Sequence, residues 1–499
     1  MDDEGGPLRA KVLLIGLDGA TPDLIEEFRP KMPFLSKLLS RSAWGTLRTF
    51  YPTLSPMEWC SLFTGKNPAK TGVFYLYSLS KGDLRTGAPL ANLSQVGQPT
   101  LWEVLNLYGL RTGVVNVPCT YPPRPLDGFM ISGFLAPRAR GAYYYPPEVG
   151  EVLREYGYEV DLDFEKVGIG PSTDSRAVDK RRVLEEQERI TEARVKVALE
   201  LARRYQVDFL FIIIKGTDNI QHLFWTDKRA LGAYYAFVDG EIEELYEGYG
   251  PTHLIVVSDH GFHEKEARYF HLNTWLYRKG YLRAKNPIKF FFKTAFYNLA
   301  YLIMRFLRPL LSLLPEGWEM EAYKMPDWID TGRSLAYGLE CGIFLSDRVR
   351  EDPSLYGRLR EELRRELLNL RVGGEEVFKA VYLREELFSG RYLSKIPDLI
   401  LVPNPRFAVN PHPGLRLAVD LAHKPYLTGA HKADNKAFFL LAGEGVRAGP
   451  AELRITDIMP LVLYIYGLPI PSGVDGRAPL ELFEEGFRRP RPLRYVPEE

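Results

Sequence analysis

Three aspartates and three histidines in this sequence are spaced in a way that suits a divalent cation. The apolar run 12–17 runs directly into Asp18. The run 209–214 is followed by Lys215-Gly216-Thr217 and then Asp218, and the run 254–257 by Ser258, Asp259 and His260. His222 stands four residues after Asp218, so a helix opening there sets both side chains on one face. His431 closes Thr428-Gly429-Ala430-His431, just ahead of the apolar run 437–441. Carboxylates and imidazoles gathered at strand ends are a donor set for zinc or manganese. One strand-end aspartate reads equally well as a helix cap, and His222 alone as a packed or surface histidine. It is the recurrence at three run ends that points to a shared site. A hydroxyl that could serve as nucleophile lies in Tyr51-Pro52-Thr53-Leu54-Ser55-Pro56. Ser55-Pro56 reads as a helix start, serine at the cap and proline at the first helical position. Such a start also turns a hydroxyl and free backbone amides toward an anion.

These residues need a scaffold that brings run ends together. Apolar runs recur at 12–17, 114–117, 209–214, 254–257, 399–402 and 437–441. Unbroken Val/Ile/Leu runs indicate strands buried on both faces of a parallel sheet. Helical spacing lies between them, most clearly over 183–205, and the alternation predicts an α/β layered domain. In an open α/β sheet, ligands bind beyond the carboxyl ends of the strands, which is where Asp18, Asp218, Asp259 and His260 fall. Residues 281–395 break the alternation, with Phe290-Phe291-Phe292 and an apolar run over 295–314. They are expected to form a helix-rich cap inserted between a first catalytic part, 9–280, and a last part, 396–499, whose strands return to the same sheet. The run 295–314 reaches the ~20 residues of a membrane span. Its Asn298, Arg305, Arg308 and Pro309 favour packing within the cap, or lying along a membrane surface, over crossing it.

Composition narrows the function classes. The 499 residues are 45% hydrophobic and 26% charged, which excludes a disordered chain. Lys and Arg number 64 and so do Asp and Glu, a balance that argues against general nucleic-acid binding. Cys60, Cys119 and Cys341 are odd in number and far apart, which fits neither a disulfide framework nor a zinc ribbon and points to a reducing compartment. The first apolar run is too short for a signal peptide and no small-residue cleavage site follows it. A cytoplasmic location, with peripheral membrane contact through the cap, is the expectation.

The order of these segments resembles the alkaline phosphatase superfamily, and within it the type I phosphodiesterase/nucleotide pyrophosphatase family. The matching text is Leu-Ile-Gly-Leu-Asp18-Gly, Tyr-Pro-Thr-Leu-Ser55-Pro through Thr64-Gly65, Gly-Thr-Asp218-Asn-Ile-Gln-His222, Val-Ser-Asp259-His260-Gly-Phe and Gly429-Ala-His431. Thr100-Leu-Trp102, Asn116-Val-Pro-Cys-Thr-Tyr-Pro-Pro123 and the stretch from Thr456-Asp457 to Asp475-Gly476 are similar to prokaryotic members. The resemblance implies an alkaline-phosphatase-like sandwich, a mostly parallel central sheet flanked by helices, with the cap inserted. It implies two divalent ions, zinc first and manganese second. Asp218, His222 and His431 would hold one; Asp18, Asp259 and His260 the other, with Ser55 as a further ligand. Ser55 stands where the phosphodiesterases usually carry threonine, and would form a phosphoryl-enzyme that water hydrolyses.

Two departures bear on mechanism. An asparagine that holds a phosphate oxygen in eukaryotic relatives is replaced, at the aligned position, by Leu76. Lys215, Asn116 and the backbone amide after Ser55 are the candidate substitutes. Arg48 is the only arginine close upstream of the nucleophile, so a diester or nucleotide pyrophosphate is preferred to a doubly charged monoester. A phosphomonoesterase, a phosphonate hydrolase and a membrane-associated lipid-headgroup phosphotransferase are the rival readings. The substrate is thus expected to be a small phosphodiester, a nucleotide or a phospholipid-like molecule. The formylglycine context of sulfatases is missing after Ser55.

Overall fold

The computed structural model describes residues 8, 10–81, 84–85, 88–136, 143–170, 173, 178–288, 290–292, 294–296, 328–340, 342–420, 427–432, 434 and 436–497. From 297 onward the run 295–314 lies outside the described residues. Among those described, no helix is long and apolar enough to cross a membrane.

A nine-stranded sheet carries the site. In chain order its strands are β1 (Val12–Leu17), β2 (Ala43–Arg48), β3 (Thr112–Val117), β4 (Gly128–Ser132), β5 (Tyr144–Tyr145), β6 (Phe209–Ile214) and β7 (His253–Val257). A short strand outside the sheet, β8 (Gly261–Glu264), pairs with β9 (Gly429–Lys432); β10 (Lys436–Gly443) and β11 (Gly449–Arg454) return to the sheet. The spatial order is β11-β2-β10-β7-β1-β6-β3-β4-β5. The pairings β7–β1, β1–β6, β6–β3, β3–β4 and β2–β11 are parallel; β10 runs antiparallel to both β7 and β2, and β5 to β4.

Strand side chains alternate between two cores. Leu13, Ile15 and Leu17 of β1 join Val183, Ile190, Leu231 and Tyr235 of the helices Lys180–Tyr205 and Lys228–Tyr249 on one face. Val12 and Leu14 join Trp59, Phe63, Ile458 and Leu461 on the other, under the helices Ser55–Thr64 and Ile458–Ile465. Both faces are covered, so the runs read as unbroken apolar text. Gly16 makes one contact possible: a Cβ there would stand 2.6 Å from the Trp59 ring. The missing side chain lets the helix of Ser55 lie directly on β1.

One expected strand belongs elsewhere. Leu399–Pro403 pairs with Gly342–Leu345 and Phe378–Leu383, in a separate antiparallel sheet completed by Ala336–Leu339. That sheet has its own core, with Phe344, Leu363 and Ile400 fully buried. Burial on both sides gives the same unbroken apolar run in either sheet, so the pattern could not tell them apart. In the described part of 281–395 these strands accompany the helix Pro353–Leu368. This region meets the nucleophile loop where Tyr382 stacks on Tyr51, ring centroids 5.8 Å apart.

Candidate metal centre

Asp18 directly follows β1, and Asp259 and His260 follow β7, its parallel neighbour. Asp218 lies in the first turn of the helix Gly216–Phe224 that follows β6, β1's other neighbour, and His222 sits one turn on. His431 arrives on β9, directly opposite Phe262 of β8. The six side chains converge. Ligand atoms of Asp18, Asp259 and His260 lie within 4.8 Å of one another, as do those of Asp218, His260 and His431. His222 Nε2 stands 3.1 Å from His431 Nε2 and 3.4 Å from Asp218 Oδ1. The His260 and His431 rings stack at 3.8 Å.

Ring orientation is set from outside the cluster. His222 Nδ1 donates to Gly429 O at 3.1 Å, and His260 Nδ1 to Gly261 O at 3.2 Å. Each bond turns Nε2 toward the carboxylates, the arrangement that orients histidine ligands. Gly429 is sterically required here, since a Cβ would lie 2.4 Å from Gln221 O. Asp18 is braced through its carbonyl, which accepts from Thr217 Oγ1 at 2.7 Å, and Asp259 Oδ1 accepts from Gly19 N at 3.1 Å. Thr217, Gly429 and Gly19 escaped the reading of the sequence. Thr217 acts by a hydroxyl on a backbone carbonyl, and the two glycines by backbone groups alone, contacts that residue type and spacing do not signal.

The charge balance favours a cation. Asp18 Oδ2 and Asp259 Oδ2 are fully buried and accept no hydrogen bond. Burial, then the neighbouring Asp18 charge, push Asp259 up to about 7. Burial works against charge on His260, but Asp259, Asp18 and Asp218 outweigh it and raise His260 to about 9. Burial, then the His260 charge, lower His431 to about 3, and burial lowers His222, leaving both as neutral donors. Orphaned carboxylate oxygens beside unprotonated imidazoles are what a divalent ion neutralises, so the residues fit the group.

Ser55 joins this set on the side of Asp18 and His260: its Oγ is 3.0 Å from His260 Nε2 and 3.4 Å from Asp18 Oδ1. It is not the helix cap. Leu54 holds that position, Ser55 is the first helical residue and Pro56 the second, and the Ser55 hydroxyl makes no capping bond. Lys215 is also brought in. Its Nζ forms a close ion pair with Asp218 Oδ2 and lies 3.5 Å from Asp18 Oδ2. Burial opposes its charge, yet Asp18 and Asp218 prevail and raise its pKa.

Two expected oxyanion donors are not at the cluster. Asn116 has φ 62°, in the left-handed region, which turns its amide under the sheet. There Nδ2 donates to Val160 O at 3.0 Å and Oδ1 accepts from the Arg194 guanidinium at 3.3 Å. The amide after Ser55 does not exist, because Pro56 has no N–H. The next two, Met57 N and Glu58 N, donate to Leu54 O. Arg48 donates to Glu452 Oε1 at 3.0 Å.

Comparison with known proteins accords with this arrangement. The murine ectonucleotide pyrophosphatase/phosphodiesterase 5 structure superposes with TM-score 0.52 at 15% identity, covering 95% of this chain and 100% of its own. Phosphonoacetate hydrolase from Sinorhizobium meliloti 1021 gives 0.58 at 16%, covering 90% and 94%. A mutant of the alkaline phosphatase PafA gives 0.56 at 14%, covering 96% and 99%. These likenesses are of fold, the alkaline-phosphatase-like α/β sandwich. No curated protein sequence matches the chain. The family model of type I phosphodiesterase / nucleotide pyrophosphatase matches residues 12–434, a span holding all six metal-site side chains and Ser55. The chain belongs to that family of metal-dependent phosphohydrolases.

Proposed function

We propose that the protein cleaves phosphodiester or nucleotide pyrophosphate bonds through a phosphoryl-Ser55 intermediate on a two-metal site. Asp218, His222 and His431 would hold one ion; Asp18, Asp259 and His260 the other, both of them zinc, with manganese as the alternative. Bound there, the ions supply a lowered hydroxyl pKa and charge neutralisation of the attacking and leaving oxygens. The observation that carries the reading is Ser55 Oγ, 3.0 Å from His260 Nε2 and 3.4 Å from Asp18 Oδ1, with no capping duty. The chain supplies three further things. Its carbonyls engage Nδ1 of His222 and His260, so Nε2 is the nitrogen each ring turns to the cluster, and on His260 it is the one that gives up a proton to an ion. The helix packed on β1 holds Ser55 in place for in-line attack. Lys215, kept protonated by Asp18 and Asp218, is the cation we assign to the charge developing on the phosphoryl oxygens.

A diester is preferred because Arg48, the arginine near the nucleophile in sequence, is engaged by Glu452 and so is not free for a second phosphate charge. One fold neighbour, an inactive variant of the murine ectonucleotide pyrophosphatase/phosphodiesterase 5, was solved with AMP. A nucleoside monophosphate group is accordingly proposed as the part of the substrate held at the site. The test is kcat/KM of metal-loaded protein on bis-p-nitrophenyl phosphate, p-nitrophenyl phosphate and phosphonoacetate. The diester should be the best of the three. Higher kcat/KM on the monoester reassigns the chain as a phosphomonoesterase, and preference for phosphonoacetate as a phosphonate hydrolase.

A further inference from the structure

The structure presents an exposed apolar helix side within a basic stretch of the chain. Residues 287–288, 290–292 and 294–296 are helical. The inner side of this segment is anchored: the Phe290 ring lies 4.7 Å from that of Trp328 and 4.6 Å from that of Tyr277, and Thr294 is buried. The outer side is not. Ile288, Phe291 and Phe292 are 67%, 61% and 67% exposed, and among the described large apolar residues only Leu107 is more so. Large side chains at i, i+3 and i+4 form one stripe of a helix surface.

Along the chain, the charge flanking this stripe is of one sign. Between Glu266 and Glu316 the sequence carries nine Lys or Arg and no Asp or Glu, in a chain where the two classes are equal. Arg278 and Lys279 are held by Leu415 O and Glu366. Arg283 and Lys285 are exposed and form no ion pair among the described residues.

We propose that this face, Arg283 to Phe292, docks on a bilayer surface containing anionic lipid. Exposed Phe and Ile beside unpaired basic groups are the combination that binds such an interface, aromatic rings entering the headgroup layer and cations meeting lipid phosphates. A second copy of the chain is the poorer occupant. A two-fold contact would set the basic face against itself. Each basic side chain near an anionic leaflet strengthens binding about fivefold, and the contribution falls with salt.

Vesicle co-sedimentation of the full chain tests this, with phosphatidylcholine vesicles against vesicles that also contain phosphatidylglycerol. The wild type should bind the anionic vesicles about 25-fold more tightly, the effect of two cations, and release in high salt. The double change Phe291→Ser, Phe292→Ser should weaken binding by about tenfold or more while leaving the thermal midpoint unchanged, because both rings are exposed. Arg283→Glu with Lys285→Glu should abolish the preference for anionic lipid. Three results overturn the proposal: no binding of the wild type to either vesicle, equal binding by wild type and the Phe double variant, or a wild-type dimer in light scattering that the Phe changes dissociate without any vesicle binding.

Discussion

Adding zinc to the metal-stripped protein should expel protons, and the number follows from the cluster. His260 is raised to about 9 by its three carboxylate neighbours, so at pH 7.5 it is ~97% protonated. Asp259, pushed up to about 7, is roughly one quarter protonated at that pH. His431, lowered to about 3, and His222, lowered by burial, hold no proton to lose. A metal ligand must be deprotonated, so full loading should release about 1.2 protons from these carboxylates and imidazoles, about four-fifths of it from His260. The sign follows: apparent affinity rises with pH by close to one decade per unit up to about pH 9, then levels. The assay is titration calorimetry in phosphate and in Tris, whose ionisation enthalpies differ; the dependence of the measured heat on buffer gives the proton count. His260→Gln should cut the release by close to one proton. A heat independent of buffer at pH 7.5 would refute the charge assignment of the cluster.

Two further outcomes are expected from single substitutions. Ser55→Ala should lower turnover by several orders of magnitude with metal content and thermal midpoint nearly unchanged, since the hydroxyl caps nothing and no ~1 kcal/mol capping loss applies; activity within tenfold of wild type would exclude Ser55 as nucleophile. Gly429→Ala should weaken metal binding by roughly 10–100-fold, because its Cβ would meet Gln221 O and shift the carbonyl that orients His222; equilibrium dialysis measures it, and wild-type affinity would mean the carbonyl plays no part.

Much of the site is readable from the chain because a parallel sheet converts position into place. Asp18, Asp259 and His260 directly follow neighbouring strands, so their convergence is a consequence of strand pairing. The helix spacing of Asp218 and His222 needs only the 3.6-residue period. The failures have a common cause in backbone detail that side-chain type does not encode. Asn116 belongs to a quoted motif, but a left-handed φ turns it to Arg194. Pro56 removes the very amide that the helix start seemed to offer. Leu399–Pro403 looks like a central strand because its own sheet is equally dry.

The lateness of β10 and of His431 has a consequence for biosynthesis. His431 follows Asp18 by 413 residues, and β10 wedges between β7 and β2, strands completed far earlier in the chain. At ~5–20 residues per second the ribosome needs roughly 20–80 s to cover that interval. From the completion of β7 at residue 257 until β10 begins at residue 436, β2 and β7 are separated by an unfilled slot, and Asp218 and His222 wait for the imidazole that completes their set. The ion proposed for Asp218, His222 and His431 therefore cannot guide early folding of the nascent polypeptide. Closure of the sheet and completion of the metal centre become one terminal event, so an incompletely translated product lacks both together.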